Sequence, residues 1–147
     1  MRLLLASLGC AAVSATVLVP AAMPEQSAAR ATLTARSSSF GKVVFDGRVF
    51  VLYGFTRDKR RSACYGACAK AWPPYFALKG SPRVGPGLTR TLLGTVVRRN
   101  GRRQVTYAGK PLYYYVGDKR AGQILCQDVA EFGGRWLILR PSGKFVR

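Results

Sequence analysis

The chain has 147 residues, with 24 Lys and Arg against six Asp and Glu, a formal charge of +18. It contains no histidine, which excludes Ser-His and Cys-His nucleophile pairs and removes the usual general base near neutral pH. Once an N-terminal segment is set aside, this length suits one domain of ordinary size.

That segment opens with Met1 and Arg2, is apolar over residues 3–19 apart from Ser, Gly, Cys and Thr, and ends at Pro20. One cation, an apolar run and small residues predict a secretory signal peptide within residues 1–31, with small-x-small cleavage sites after Ala21, Ala29 or Ala31. An uncleaved anchor is the rival, but the run falls short of the roughly 20 residues a spanning helix needs. Acylation at Cys10 is disfavoured because Ser7 stands where a lipobox has an aliphatic residue. The expected mature chain works outside the cytoplasm and has no transmembrane domain.

From residue 32 onward 22 cations face five acids, a formal +17. Such a charge attracts polyanions through a salt-screened field. Outside the cytoplasm these are envelope polymers, anionic lipid head groups and acidic glycans, and nucleic acid takes second place. A compositional origin stands beside this one, since Arg outnumbers Lys 17 to 7 in an Ala- and Gly-rich chain, as high-GC coding produces.

Residues 32–40 carry Ala, Ser, Thr and Arg without an apolar period and are expected to be a flexible linker. A single β-rich domain is then expected over 41–147. Two apolar runs within 42–55 flank Asp46-Gly47, a hairpin signal. Residues 62–71, alanine-rich behind a capping Ser62 and stopped by Trp72-Pro73-Pro74, predict one short helix of about two turns. Residues 80–87, with Ser-Pro and Gly-Pro, read as a loop. A second hairpin is expected from 92–98 and 103–107 around Asn100-Gly101, whose residues tolerate the positive φ of a two-residue turn. Strands at 111–116, 135–139 and 144–146 complete the expectation.

A Tyr-x-aromatic-x-x-Asp-Lys segment occurs at residues 53–59 and again at 113–119. The offset of 60 sets Tyr53 on Tyr113, Phe55 on Tyr115 and Asp58 on Asp118, and Trp72 falls on Trp136 with an offset of 64. Two internal repeats, about 42–74 and 103–140, are therefore expected. Each would leave an apolar face bare unless packed on the other. The fold class that follows is all-β with small α content: two related antiparallel units packed together, with one short Cys-bearing helix.

The motifs Leu52-Tyr53-x-Phe55-x-x-Asp58-Lys59, Cys64-x-Gly66-x-Cys68-Ala69-x-x-Trp72-Pro73-Pro74 and Gln104-Val105-Thr106-Tyr107-x-Gly109-x-Pro111-Leu112-Tyr113-Tyr114-Tyr115-x-Gly117-Asp118-Lys119 together resemble a bacterial family of secreted repeats with a Tyr-x4-Asp motif. Its members are often described as predicted lipoproteins. The resemblance spans about residues 41–141 and implies secretion, but it supplies no established activity.

Alternate positions on a strand face the same way, so Tyr53 and Phe55, like Tyr113 and Tyr115, form aromatic pairs. Core packing is the first expectation and a platform for sugar rings or a flat ligand the second. Asp58 and Asp118 follow where each strand ends. There they can anchor turn amides or a tyrosine hydroxyl, whereas a catalytic dyad would require unlike environments for its two carboxylates.

Cys64 and Cys68 on a regular helix would lie about 6 Å apart with Cβ vectors poorly set for a disulfide. By loop entropy, joining either to Cys126 stabilises more, roughly 4 against 2 kcal/mol. The family pattern instead implies the short Cys64–Cys68 bridge, with Cys126 left odd. No cofactor is expected. A soft metal held by Cys64, Cys68 and Cys126 is the alternative, and it underlies a second reading as a redox or metal-handling protein.

Four arginines, Arg98, Arg99, Arg102 and Arg103, gather at one hairpin turn, and Arg57, Lys59, Arg60 and Arg61 cluster after the first motif. Guanidinium groups bind phosphates and carboxylates bidentately. The expected function is an exported, non-catalytic module that associates with anionic envelope material.

Overall fold

The structure is a computed structural model that describes residues 33–77 and 81–147. The expected signal peptide and its cleavage sites lie outside the described residues. The strands are β1 (Leu33–Ser38), β2 (Gly41–Asp46), β3 (Tyr53–Phe55), β4 (Leu93–Val97), β5 (Arg103–Tyr107), β6 (Lys110–Pro111), β7 (Val129–Glu131) and β8 (Gly134–Ile138). Among the described residues there is one α-helix, α1, which spans Ala67–Ala71. All ladders are antiparallel: β1 with β2, β3 with β8 and β8 with β7, and β4 with β5 and β5 with β6. The protein is thus mostly β, with one short helix that carries Cys68.

The second hairpin forms around Asn100-Gly101, with Val97 opposite Arg103 and Leu93 opposite Tyr107. The loop has three residues, 99–101, rather than the two expected, since Arg98 N–H donates to Arg102 O; Gly101 takes φ 77°, the left-handed conformation that closes such a loop, and Asn100 does not share it. The turn at Asp46-Gly47 also forms, with Val49 N–H donating to Asp46 O and Phe45 bridging Val51. Asp46 fixes it: Oδ1 accepts the N–H of Arg48 and of Phe50, both at 2.8 Å.

Other expectations also need correction. Residues 33–38 are not linker but strand β1, paired with β2 from Leu33 opposite Asp46 to Ser38 opposite Gly41. Only Leu33 and Thr34 are buried in it, so backbone pairing holds a segment whose side chains give no apolar period. The helix is one turn, not two. Ser62 caps nothing there: its Oγ accepts the N–H of Cys64, the Ala63 N–H goes to Asp58, and Gly66 at φ 57° turns the chain before α1 begins. The strand expected over 111–116 shrinks to β6 and an isolated bridge position at Tyr113, and the one expected over 144–146 to an isolated bridge of Phe145 with Leu139.

The two repeats are interlaced. Tyr53 and Tyr113 pair with each other, each N–H donating to the other's carbonyl at 2.9 Å. Beyond this central pair each repeat receives the end of its neighbour. Segment 136–138 of the second repeat pairs with β3 of the first. Residues 73–77 of the first run along the second, with Tyr75 N–H to Leu112 O and Tyr114 N–H to Pro73 O. The far edges match too: Val44 N–H donates to Leu139 O at 2.9 Å and Val105 N–H to Tyr75 O at 2.8 Å. Val44 and Val105 therefore hold equivalent places about a pseudo-twofold axis between Tyr53 and Tyr113.

Interlacing makes each repeat an incomplete sheet whose unpaired N–H and C=O groups are satisfied only by the other. A chain cut within residues 78–80 is expected to stay assembled and to unfold in one cooperative transition, whereas either half alone shows none. Thermal unfolding of the nicked protein and of each separate half checks this.

Candidate functional site

The repeated motif closes across the axis. The Tyr53 hydroxyl donates to Asp118 Oδ2 at 2.8 Å, and the Tyr113 hydroxyl donates to Asp58 Oδ2 at 2.9 Å. Each tyrosine is thus held by the aspartate of the other repeat. The second carboxylate oxygen of each aspartate caps its own turn, Asp58 Oδ1 accepting Ala63 N–H at 2.7 Å and Asp118 Oδ1 accepting Leu125 N–H at 3.0 Å. Both tyrosines and Phe55 are buried, Asp118 nearly so, and Tyr115 lies partly open.

The remaining aromatics stack over this lock. Trp72 and Trp136 lie face to face, centroids 4.1 Å apart and planes 2° from parallel. Phe55 stacks on the outer face of Trp136 at 4.1 Å and Tyr115 leans on Trp72 at 4.7 Å. Each outer ring thus rests on the tryptophan of the other repeat. Tyr53 and Tyr113 meet Trp72 and Trp136 edge-on at 5.2 and 5.1 Å, the geometry that ring quadrupoles favour. These rings fill the core, and a platform for flat ligands is not left open by Tyr53, Phe55 or Tyr113.

Cys64 and Cys68 form a disulfide with Cα atoms 5.3 Å apart. The objection that helical geometry suits a bridge poorly disappears because Cys64 precedes α1. Both sulfurs sit in the buried core. Cys126 keeps a free, partly buried thiol whose pKa burial raises. No group of three or more metal-ligating side chains occurs among the described residues.

At the basic hairpin the four arginines separate. Arg98, expected to bind anions, is buried, and three of its donors bond within the protein. Nη1 reaches Ser62 Oγ and Gln104 Oε1, Nη2 donates to Cys64 O at 2.6 Å, and the guanidinium lies 4.3 Å from the Tyr65 ring centroid. Arg99 packs on the same ring and Arg102 on Phe76. Arg103 bonds Thr95 Oγ1. Arg99, Arg102 and Arg103 are exposed. Arg98 thereby ties the hairpin to the segment after the first motif, which carries Lys59, Arg60 and Arg61. The tether is not evident from sequence, which assigns Ser62 to a helix cap, although the hairpin pattern already put Gln104 on the same strand as Val105 and Tyr107, both buried.

Burial pushes the Asp58 carboxyl up to about 6, against the lowering effects of the Ala63 and Tyr113 hydrogen bonds and the Arg98 charge. Burial raises Asp118 as well, opposed by its bonds from Tyr53 and Leu125. A carboxyl that holds its proton more tightly folded than unfolded stabilises the fold most below pH 4, and the gain is lost as pH rises through 6. Denaturant midpoints should therefore correspond to about 1 kcal/mol more stability at pH 5 than at pH 7, with the difference largely gone in a D58N/D118N variant. Tyr53→Phe, which leaves the Asp118 carboxylate short of a donor, should cost about 1–3 kcal/mol at pH 7. A double-mutant cycle with Asp118→Asn should show the two residues coupled.

A family described as a secreted repeat of unknown function matches residues 34–75 and 94–140. The two matched segments open within β1 and β4, so each repeat includes the first strand of its hairpin, upstream of the repeat starts expected from sequence. No curated protein and no solved structure matches the chain at a significant level. The match covers more than half of the chain in two copies, the disulfide suits an oxidising, extracytoplasmic setting, and the chain belongs to this family of secreted repeats.

Proposed function

We propose that this exported protein is a non-catalytic module whose basic hairpin face associates with anionic polymers of the cell envelope. The observation that carries this reading is the Arg98 tether, which gathers two basic clusters, distant in sequence, onto one face. Lys59, Arg60, Arg61, Arg99, Arg102 and Arg103 are all exposed there. The ion pairs Arg48–Asp46 and Arg135–Asp128 engage other cations, and none of these six pairs with an acid among the described residues. Uncompensated like charges held close together repel one another, and a polyanion relieves that repulsion. Tyr65 and Phe76 under Arg99 and Arg102 hold the guanidinium planes in place, which lowers the ordering cost of binding.

The non-catalytic part of the proposal rests on how the polar groups are used. Asp58 and Asp118 are each committed to a tyrosine and a turn amide, and in this reading both carboxylates serve the lock between the repeats. Cys64 and Cys68, buried and joined to each other, serve the fold in this reading, and no metal or cofactor is invoked.

The test compares two variants with the same net charge. Replacing Arg60, Arg61, Arg99 and Arg102 by Gln should lower retention on immobilised polyglycerol phosphate about tenfold at roughly 0.1 M salt. Replacing Lys42, Arg90, Lys144 and Arg147 by Gln should lower it much less. Equal losses in both variants would show that net charge alone attracts the polymer and that this face is not a site.

A further inference from the structure

The pseudo-twofold axis permits a comparison within the molecule. With Val44 equivalent to Val105, the hairpin registers set Val43 on Gln104 and Ser38 on Arg98. The aspartate-capped amides of Ala63 and Leu125 set Ser62 on Ile124. In the second hairpin the slot between these positions is polar and filled, the Arg98 guanidinium bonding Ser62 and Gln104. In the first, the same three places hold Ser38, Ile124 and Val43. The short Ser38 side chain turns back to its own loop, donating to Gly41 O at 2.8 Å and accepting Phe40 N–H. Among the described residues no side chain bonds across these places as Arg98 does, and a cavity of about 460 Å³ opens beside Ser38 and Ile124.

The cavity has two chemically distinct ends. Its apolar wall is formed by Phe45, Val49 and Ile124, each buried or partly buried in the core cluster. The exposed residues Arg36, Ser37 and Ser39 line the other side. Val49 holds φ 69°, a conformation costly for a β-branched residue. Backbone strain of this kind persists where surrounding structure enforces it, and here Val49 O is pinned by Gly122 N–H at 2.8 Å.

We infer that this cavity is a binding site for a small anionic amphiphile, a short acyl chain that ends in a carboxylate or phosphate. Loss of the Ser62 and Gln104 acceptors makes the slot unsuited to a guanidinium and suited to an apolar chain. Arg36 and the serine hydroxyls supply a charge-assisted end point for the anion. The volume lies in the range of small-molecule sites. The site is separate in composition from the basic hairpin face and does not depend on it.

The experiment uses the mature protein and monomeric octanoate, read by amide chemical shifts. Saturable shifts confined to residues 36–39, 45–49 and 122–124 are expected. Arg36→Gln should weaken binding about tenfold by removing the charge-assisted contact. Val49→Asn, which suits the positive φ and so keeps the fold, should weaken it severalfold by removing the apolar wall. Octanol should bind more weakly than octanoate, and acetate should not shift these amides. The R60Q/R61Q/R99Q/R102Q variant should bind octanoate as the wild type does. Vesicles of an anionic phospholipid distinguish a lipid-borne chain, which would shift the same amides, from a free acid, for which only octanoate would. Shifts absent, spread over the basic hairpin, or unchanged in both Arg36→Gln and Val49→Asn would overturn the inference.

Discussion

The crossed pair of hydrogen bonds, Tyr53 to Asp118 and Tyr113 to Asp58, is the constraint around which the rest of the structure is arranged. A carboxylate taken from water is costly unless it is well bonded, and here each receives a phenol donor from the opposite repeat and an amide donor from its own turn. The bonds can form only if the two tyrosines sit side by side, which their mutual backbone pair ensures. That pairing in turn brings Trp72 against Trp136 and leaves Phe55 and Tyr115 to cover the outer faces of the stack. A contact across a twofold axis must be self-complementary, so one residue set has to serve both sides. The Tyr-x4-Asp spacing recurs for that reason: donor and acceptor travel together in each copy and are consumed by the other copy.

Departures from this symmetry are as informative as the symmetry itself. Trp72 donates its indole N–H to Glu131 at 2.8 Å, whereas the buried indole N–H of Trp136 has no acceptor among the described residues. The aspartate-capped turns place Cys126 where the first repeat has Cys64, so one copy bears a disulfide and the other a free thiol. Arg98 fills a slot that Ser38 leaves open. The central contacts, which both halves need in order to fold, stayed alike, while the flanks, which each half satisfies locally, diverged. Such divergence gives the two ends of one molecule different surfaces on a common frame.

Sequence disclosed the local features and withheld the exchanged ones. Asn100-Gly101 marked the place of the second turn but not its length: Arg98 lies opposite Arg102, so the loop holds three residues, 99–101, and only Gly101 takes positive φ, which shifts the β4–β5 register from the one a two-residue turn would set. The motif identified Tyr53, Asp58, Tyr113 and Asp118 as turn anchors or core, but could not say which aspartate meets which tyrosine, since partners within and between repeats carry the same residues. Strand β1 escaped notice because it is held by backbone pairing and two buried side chains, and composition records neither. The disulfide was opposed by an argument that assumed a helix over both cysteines, an assumption undone by Gly66 and by the side-chain caps at Ala63 and Cys64.

Net charge was the most visible property of the sequence, yet its residues prove unequal. Arg98 is buried without a carboxylate in direct contact, a position that would be costly for an isolated charge. Its guanidinium is instead joined through Ser62 Oγ to the Tyr113 hydroxyl, and thence to Asp58, by contacts of hydrogen-bond length at every step. The Arg98 field lowers the Asp58 carboxyl against the effect of burial, so cation and anion stabilise one another at a distance through neutral hydroxyls. This chain connects the motif at the axis to the tip of the basic hairpin. The basic hairpin is therefore tied to the same carboxylate that locks the two repeats together, with Arg98 buried and Arg99, Arg102 and Arg103 exposed around it.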